Sequence, residues 1–248
     1  MSFVVFTSDG YVDLVHGFAY FFNKYWDSKQ KVNVLGFKPP KNKLPSNFEF
    51  ISAGNQSDFS KKDFCGPFRP IIEELPGTTI TYFIEDTFII APVRTQLYEA
   101  AKKQILNNEA EKVELFWGGK PQYSVTRPWP KNNNFREYPQ NARYRCNISP
   151  AVINKEYFLH YFVDGYSLQE YEVKNFLKSR HDGATILIGE EPIAPWYNVI
   201  RDGTFNLKDW KHVEESEDNS FAWNKYQKIA CEDFEMMLEY KDWSPYRD

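Results

Sequence analysis

Short apolar runs ending in small or polar residues alternate with amphipathic stretches through the first half of the chain. This alternation restricts the fold more than any other feature. "FVVFTSDG" reads as a buried strand that delivers a polar loop. "YVDLVHGFAYFFNKYW" places Leu14, Phe18, Phe21, Phe22 and Tyr25 at helical spacing. "KVNVLGF" and "FEFISAG" are the next strands, joined by the Pro/Lys loop "KPPKNKLPSN". A helix is predicted over residues 66–75, closed by Pro76-Gly77. "TTITYFIEDTFII" is then a central strand. "PVRTQLYEAAKKQILNN" is a helix opened by Pro92 and stopped at Asn107-Asn108, and "KVELFWGG" a further strand. That order predicts an α/β fold: a mixed, mostly parallel, Rossmann-like sheet flanked by helices.

The second half is less regular. Residues 120–147 are rich in Pro, Asn, Arg and aromatics without a sustained period, which predicts a mobile loop or lid, with Trp117 and Trp129 as stacking platforms. "ISPAVINKEYFLHYF" and "SLQEYEVKNFLKSR" read as helices, "ATILIGEE" as a strand and "APWYNVIRDGTFN" as a strand and turn. The expected organisation is one domain over residues 1–248. Within it fall a first half over 1–118, a second half over 119–210 that carries the loop at 120–147, and a helical tail over 211–248.

Composition excludes several classes. With 42% hydrophobic and 26% charged residues, the chain has the balance of a soluble globular domain. Three cysteines without a CxxC pair argue against a disulfide scaffold or a structural zinc site. No basic leader precedes an apolar core at the N-terminus, and no run approaches the ~18 apolar residues of a membrane span. The expectation is a cytoplasmic protein. Net charge of −4 gives no global field for nucleic acid, although Arg127, Arg136, Arg143 and Arg145 form a local basic cluster. Aromatics at 18% suit either a packed core or stacking on sugars and bases. The chain has no Gly-rich phosphate loop, no GxGxxG after the first strand and no GxSxG elbow.

The chemistry concentrates at Glu85 and Asp86, two carboxylates set inside the apolar run at residues 79–90. Burying an unpaired carboxylate costs several kcal/mol, so such charges have a partner or a task. A divalent cation can be held by one or two carboxylates at a strand end, its other positions left to phosphate and water. Alternation along a strand points adjacent side chains to opposite faces, which favours Asp86 as the ligand over Glu85. The bland alternative is a solvated strand end, or salt bridges to Arg94 or Arg69.

The layout also carries a resemblance. "FFNKYW" after the first strand, "LPSNFEF" before the third and "IEDT" in the acidic position resemble the nucleotide-sugar glycosyltransferases of the GT-A class. They match a subgroup with aromatic-Asn-Lys-Tyr-Trp, Leu-Pro-x-Asn-Phe and Glu-Asp-aromatic motifs, except that Thr87 stands where the aromatic would be. The match covers roughly the first half of the chain, with a looser one in "PWYNVIRDG". The resemblance implies a GT-A-like fold, a nucleotide-sugar donor, most simply a UDP-sugar, and Mn²⁺ or Mg²⁺ at Asp86. Thr7, Ser8, Asp9 and Tyr11 would cradle the nucleoside, with Glu85 and Asp63 beside them, and Arg201 would reach the diphosphate. For Ser8, Asp9 and Asp63, helix capping is an equal alternative.

An inverting transfer needs a base on the acceptor side. Glu172, and after it Glu170, are the candidates in "SLQEYEV", against a solvated helix face; Asp164, Glu190 and Glu191 rank below them. The acceptor would be a glycan or another hydroxyl. A phage-type transfer to a DNA base remains an alternative through the arginine cluster, and a non-catalytic nucleotide- or glycan-binding module is another.

Overall fold

The computed structural model describes residues 1–115, 126–143, 145–201 and 204–205, with Arg201, Thr204 and Phe205 given by their backbone alone. Trp117, the side chain of Arg201 and the tail at 211–248 therefore lie outside the described residues.

Nine strands form the main sheet, in the order β3-β2-β1-β4-β9-β6-β10-β8-β7. The first four in space are β3 (Phe48–Ser52), β2 (Val32–Gly36), β1 (Ser2–Phe6) and β4 (Thr79–Ile84), all mutually parallel. β9 (Ala151–Asn154) runs antiparallel between β4 and β6 (Lys112–Glu114), and β10 (Ile186–Gly189) returns parallel to β6. β8 (Phe135–Glu137) and β7 (Arg127–Pro128) close the far edge in antiparallel fashion.

The pleat sorts side chains onto two cores. Phe3 and Val5 of β1 face one cluster, with α1 (Leu14–Phe22) and α3 (Thr95–Leu106) packed over it. Val4 and Phe6 face the other, under α2 (Cys65–Glu74) and α4 (Lys155–Tyr161). All five residues of β1 are buried, as its unbroken apolar run requires of a central parallel strand. The aromatic excess is spent here: Phe3, Phe22, Trp26, Phe83 and Tyr98 meet edge to face or stacked, Trp26 and Tyr98 at 4.7 Å between centroids. Each such buried ring contributes about 1.5–3 kcal/mol. A π-helical turn, Asn23–Asp27, extends α1 and keeps Tyr25 buried and Trp26 packed against the core.

Several expectations are corrected. The run at 79–90 is not one strand: β4 ends at Ile84, Glu85 and Asp86 form a turn, and β5 (Thr87–Ile89) pairs with β11 (Trp196–Asn198) in a separate two-stranded sheet. The helix expected from Pro92 starts at Thr95. "ISPAVIN" is strand β9 and only the following residues are helical, because the β-branched run is wedged between β4 and β6. Within 120–147, the described residues contribute β7 and β8 to the sheet. Trp129 is 8% exposed and its indole N–H donates to Gln104 Oε1 at 3.1 Å, so it is a core residue and no stacking platform. No helix among the described residues is long and apolar enough to cross a membrane.

Candidate functional site

The chain leaves β1 through α1 to reach β2 and β3 on one side, then crosses through α2 to β4 on the other. Open α/β sheets bind ligands at such a reversal, beyond the carboxyl ends of the strands. Here the ends coincide: Phe6 and Ile84 are register partners, and Glu85 N–H donates to Phe6 O at 3.1 Å. Thr7 and Glu85 thus emerge side by side.

Above them lies a cleft of about 500 Å³. Its walls come from four places. Thr7, Ser8 and Tyr11 come from the β1 loop, and Glu85 and Asp86 from the β4 turn. Gln56, Ser60, Lys61, Lys62 and Asp63 come from the segment before α2, and Ser167 and Leu168 from the start of α5 (Leu168–Ser179). Ile200, at the start of β12 (Ile200–Arg201), completes the rim beside β13 (Thr204–Phe205), its antiparallel partner.

The acidic turn is built tightly. Thr87 Oγ1 donates to Ile84 O at 2.6 Å and closes it, which gives a physical role to the residue that departs from the Glu-Asp-aromatic pattern. Val199 N–H donates to Asp86 O at 2.9 Å and braces the turn from outside. Because both residues lie in a turn, strand alternation does not separate them, and both carboxylates line the cleft. Burial holds the Glu85 carboxyl well above the usual range, with the Asp86 charge pushing the same way and only its own N–H opposing. Burial likewise raises Asp86 to about 6. Among the described residues neither carboxylate has a salt bridge. Arg69 donates to Leu159 O and Phe162 O and pairs with Glu73, and Arg94 pairs with Glu191.

One buried and one half-buried carboxylate on one cavity, neither in a salt bridge among the described residues, fit a divalent cation of the Mg²⁺ or Mn²⁺ type. Such ions accept one or two carboxylates and fill their remaining positions with phosphate oxygens and water. No group of three or more His, Cys, Asp or Glu side chains suited to a metal occurs among the described residues, so the protein alone offers no closed cage here.

The other predicted residues divide. Thr7, Ser8, Tyr11, Asp63, Glu85 and Asp86 meet at the cleft. Asp9 sits beside it: its N–H donates to Gln56 Oε1 at 2.9 Å, and its carboxylate accepts from Lys38 N–H at 2.9 Å with Lys38 Nζ 3.6 Å away. Neither Ser8 nor Asp9 caps α1, whose N-cap position is Asp13. Asp63 Oδ1 accepts from Gly66 N–H at 2.8 Å and Gly165 N–H at 3.0 Å, tying the start of α2 to the loop before α5. Gly165 has φ +80°, a conformation that favours glycine.

Glu170 and Glu172 are not brought to the cleft. Glu170 closes a reciprocal capping box with Ser167 and pairs with Lys174 at 2.7 Å, which pulls its carboxyl down to about 2. Glu172 Oε1 accepts from Ile148 N–H at 3.0 Å and holds the segment entering β9. Arg201 follows the cleft residue Ile200. Sequence reasoning missed Gln56, Ser60, Lys61, Lys62 and Ser167; the polar, dibasic "NQSDFSKKDF" between a strand and a helix on the ligand side was the available signal.

The basic cluster is split: Arg127 and Arg143 are exposed, while Arg136 and Arg145 are buried. Arg127 pairs with Glu137 at 2.8 Å. Arg136 is buried against Thr126 and Glu190, and Arg145 is buried on Asp182, Ser179, Tyr138 and Ala184. Two of the four arginines that favoured a DNA-base acceptor are thus turned inward.

No protein-family profile matches the chain, and no curated protein matches it in sequence. Solved structures do resemble it in fold. S. aureus TarS 1–349 in complex with UDP superposes with a TM-score of 0.52 at 11% identity, over 94% of this chain and 70% of that one. The same protein with UDP-GlcNAc gives 0.50 at 12% identity, over 94% and 71%. The mannosyltransferase PcManGT from Pyrobaculum calidifontis, in complex with GDP-Man and Mn²⁺, gives 0.51 at 10% identity, over 86% and 60%. Against TarS 1–349 without a named ligand the chain spans 60% of the structure's length, and against TarS without stated residue limits 39%. The fold is that of GT-A-type proteins.

Proposed function

We propose that the chain is a glycosyltransferase that moves a sugar from a nucleotide-activated donor, with Mn²⁺ or Mg²⁺ assistance, to an acceptor hydroxyl. The observation that carries this reading is the pair Glu85 and Asp86. Glu85 is buried and Asp86 half-buried, neither has a salt bridge among the described residues, and both line a cleft at the reversal point of the sheet. Solved structures of the same fold, named with UDP, UDP-GlcNAc or GDP-Man and Mn²⁺, support the donor class.

In this reading Thr7, Ser8 and Tyr11 hold the nucleoside. The β1 loop offers backbone groups and hydroxyls to a base edge, and Tyr11 an aromatic face to stack on. Glu85 and Asp86 hold the cation, whose chemistry is to offset charge gathering on the diphosphate as it leaves. Asp63 and Asp9 keep the walls in place: one clamps the start of α2 to the α5 loop, the other fixes the β1 loop to the chain after β2. Glu170 and Glu172 position α5 and the entry to β9, and no proton transfer is assigned to them.

The direct test is a panel of nucleotide sugars screened by thermal shift with and without Mn²⁺, followed by donor hydrolysis on any hit. A metal-dependent rise in unfolding temperature with one donor class, plus slow hydrolysis, is expected. A donor that binds without any hydrolysis or transfer would instead support a binding module.

A further inference from the structure

Two lysines and two carboxylates share the cleft without pairing. Lys61 and Lys62 line it from the segment between β3 and α2, while Glu85 and Asp86 line it from the end of β4. Among the described residues neither lysine side chain has an ion pair or hydrogen bond. The acids around them are engaged elsewhere: Asp63 by Gly66 and Gly165, Asp58 by Asn55, and Asp9 by Lys38.

The lysines do not dangle from a free loop. Asp63 N–H donates to Ser60 O at 2.8 Å, closing a turn with Lys61 and Lys62 at its two central positions. The far end of that turn is fixed twice. Asp63 clamps Gly165, and Phe64 N–H and Cys65 N–H donate to Tyr166 O at 2.8 and 3.2 Å. The two carboxylates sit on the turn that ends β4, closed by the Thr87 hydroxyl on Ile84 O and braced by Val199 N–H on Asp86 O. Opposite charges in one cavity, each held on a braced element, leave room for a ligand that satisfies both: an anion toward the lysines, carrying a cation toward the carboxylates.

We propose that the turn at 60–63 is the anion grip of the site, with Lys61 and Lys62 binding the diphosphate of the donor in the cleft they share with Glu85 and Asp86. The inference rests on reading the cleft as a nucleotide-sugar site. In the transfer, the bond from the anomeric carbon to the diphosphate oxygen breaks and its electron pair leaves with the nucleoside diphosphate. A bond from the acceptor oxygen to the anomeric carbon forms, and the proton of the acceptor hydroxyl is released to solvent water. Charge therefore grows on the leaving diphosphate, where two ammonium groups have their largest effect.

The test titrates the full chain, in Mn²⁺, with UDP, GDP, uridine and guanosine. Wild type is compared with Lys61→Gln/Lys62→Gln and with Lys41→Gln/Lys43→Gln, which removes equal charge from the exposed loop between β2 and β3; thermal unfolding confirms that each variant is folded. The expected result is a loss of at least about tenfold in diphosphate affinity for the first variant only, with nucleoside affinity unchanged and a shallower salt dependence. Wild-type diphosphate affinity in that variant overturns the grip while leaving the donor-site reading intact. An equal loss in the control variant, or an equal loss of nucleoside binding, also overturns it. If wild type binds no diphosphate, both the grip and the reading fall.

Discussion

Replacing Asp86 by Asn should make the cation-free protein more stable, not less. Burial raises the Asp86 carboxyl from 3.8 to about 6 in the folded chain. The folded state therefore binds this proton more tightly than the unfolded state, and stability falls as pH rises from about 4 through about 6. A rise of roughly two units at about 1.4 kcal/mol each puts the penalty near 3 kcal/mol above that window. Burial holds Glu85 above its ordinary value as well, with the Asp86 charge pushing the same way. Asn keeps the shape of Asp and carries no charge. Urea unfolding in chelator should show Asp86→Asn more stable by about 3 kcal/mol near pH 7.5, the gap closing toward pH 4. Adding Mn²⁺ and a nucleoside diphosphate should stabilise wild type by mass action and leave the variant behind. A variant less stable than wild type at every pH would refute the reasoning, because it would mean that the carboxylate makes a stabilising bond in the fold.

Other perturbations test the surrounding structure. Thr87→Val removes the hydroxyl that closes the acidic turn and should lower stability by about 1–3 kcal/mol and weaken Mn²⁺-dependent nucleotide binding, read by calorimetry. Asp182→Asn weakens the carboxylate partner of the buried Arg145 and should destabilise by up to about 3–5 kcal/mol in thermal unfolding, with no change in donor specificity. Trp129→Phe loses the bond to Gln104 and should lower urea stability by about 1–3 kcal/mol while sugar and nucleotide affinities stay at wild-type values. Ser167→Ala breaks the capping box and should cost about 1 kcal/mol in the same assay.

The centre of the parallel half was legible because β1 and β4 are buried on both faces and read as largely apolar runs, with Val4 and Phe6 going to one core and Phe3 and Val5 to the other. The cleft was legible where residues follow a strand end directly, as Thr7 and Ser8 follow β1. What escaped was set by long-range contacts. β9 reads locally as the start of a helix and becomes a strand because β4 and β6 flank it. The break at Glu85-Asp86 depends on β5 pairing with β11, more than a hundred residues later. Lys61 and Lys62 reach the site through a clamp on Gly165 that no local pattern announces. Glu172 looked available on a helix face, and only the fold brings Ile148 N–H to it.

The central claim is that Glu85 and Asp86 form the cation end of a nucleotide-sugar site. Calorimetric titration of UDP and GDP, with and without Mn²⁺, into wild type and Asp86→Ala tests it most directly. The account predicts Mn²⁺-dependent binding of at least one nucleotide to wild type and loss of that dependence in the variant. Identical binding by both proteins, or binding indifferent to Mn²⁺, would contradict it.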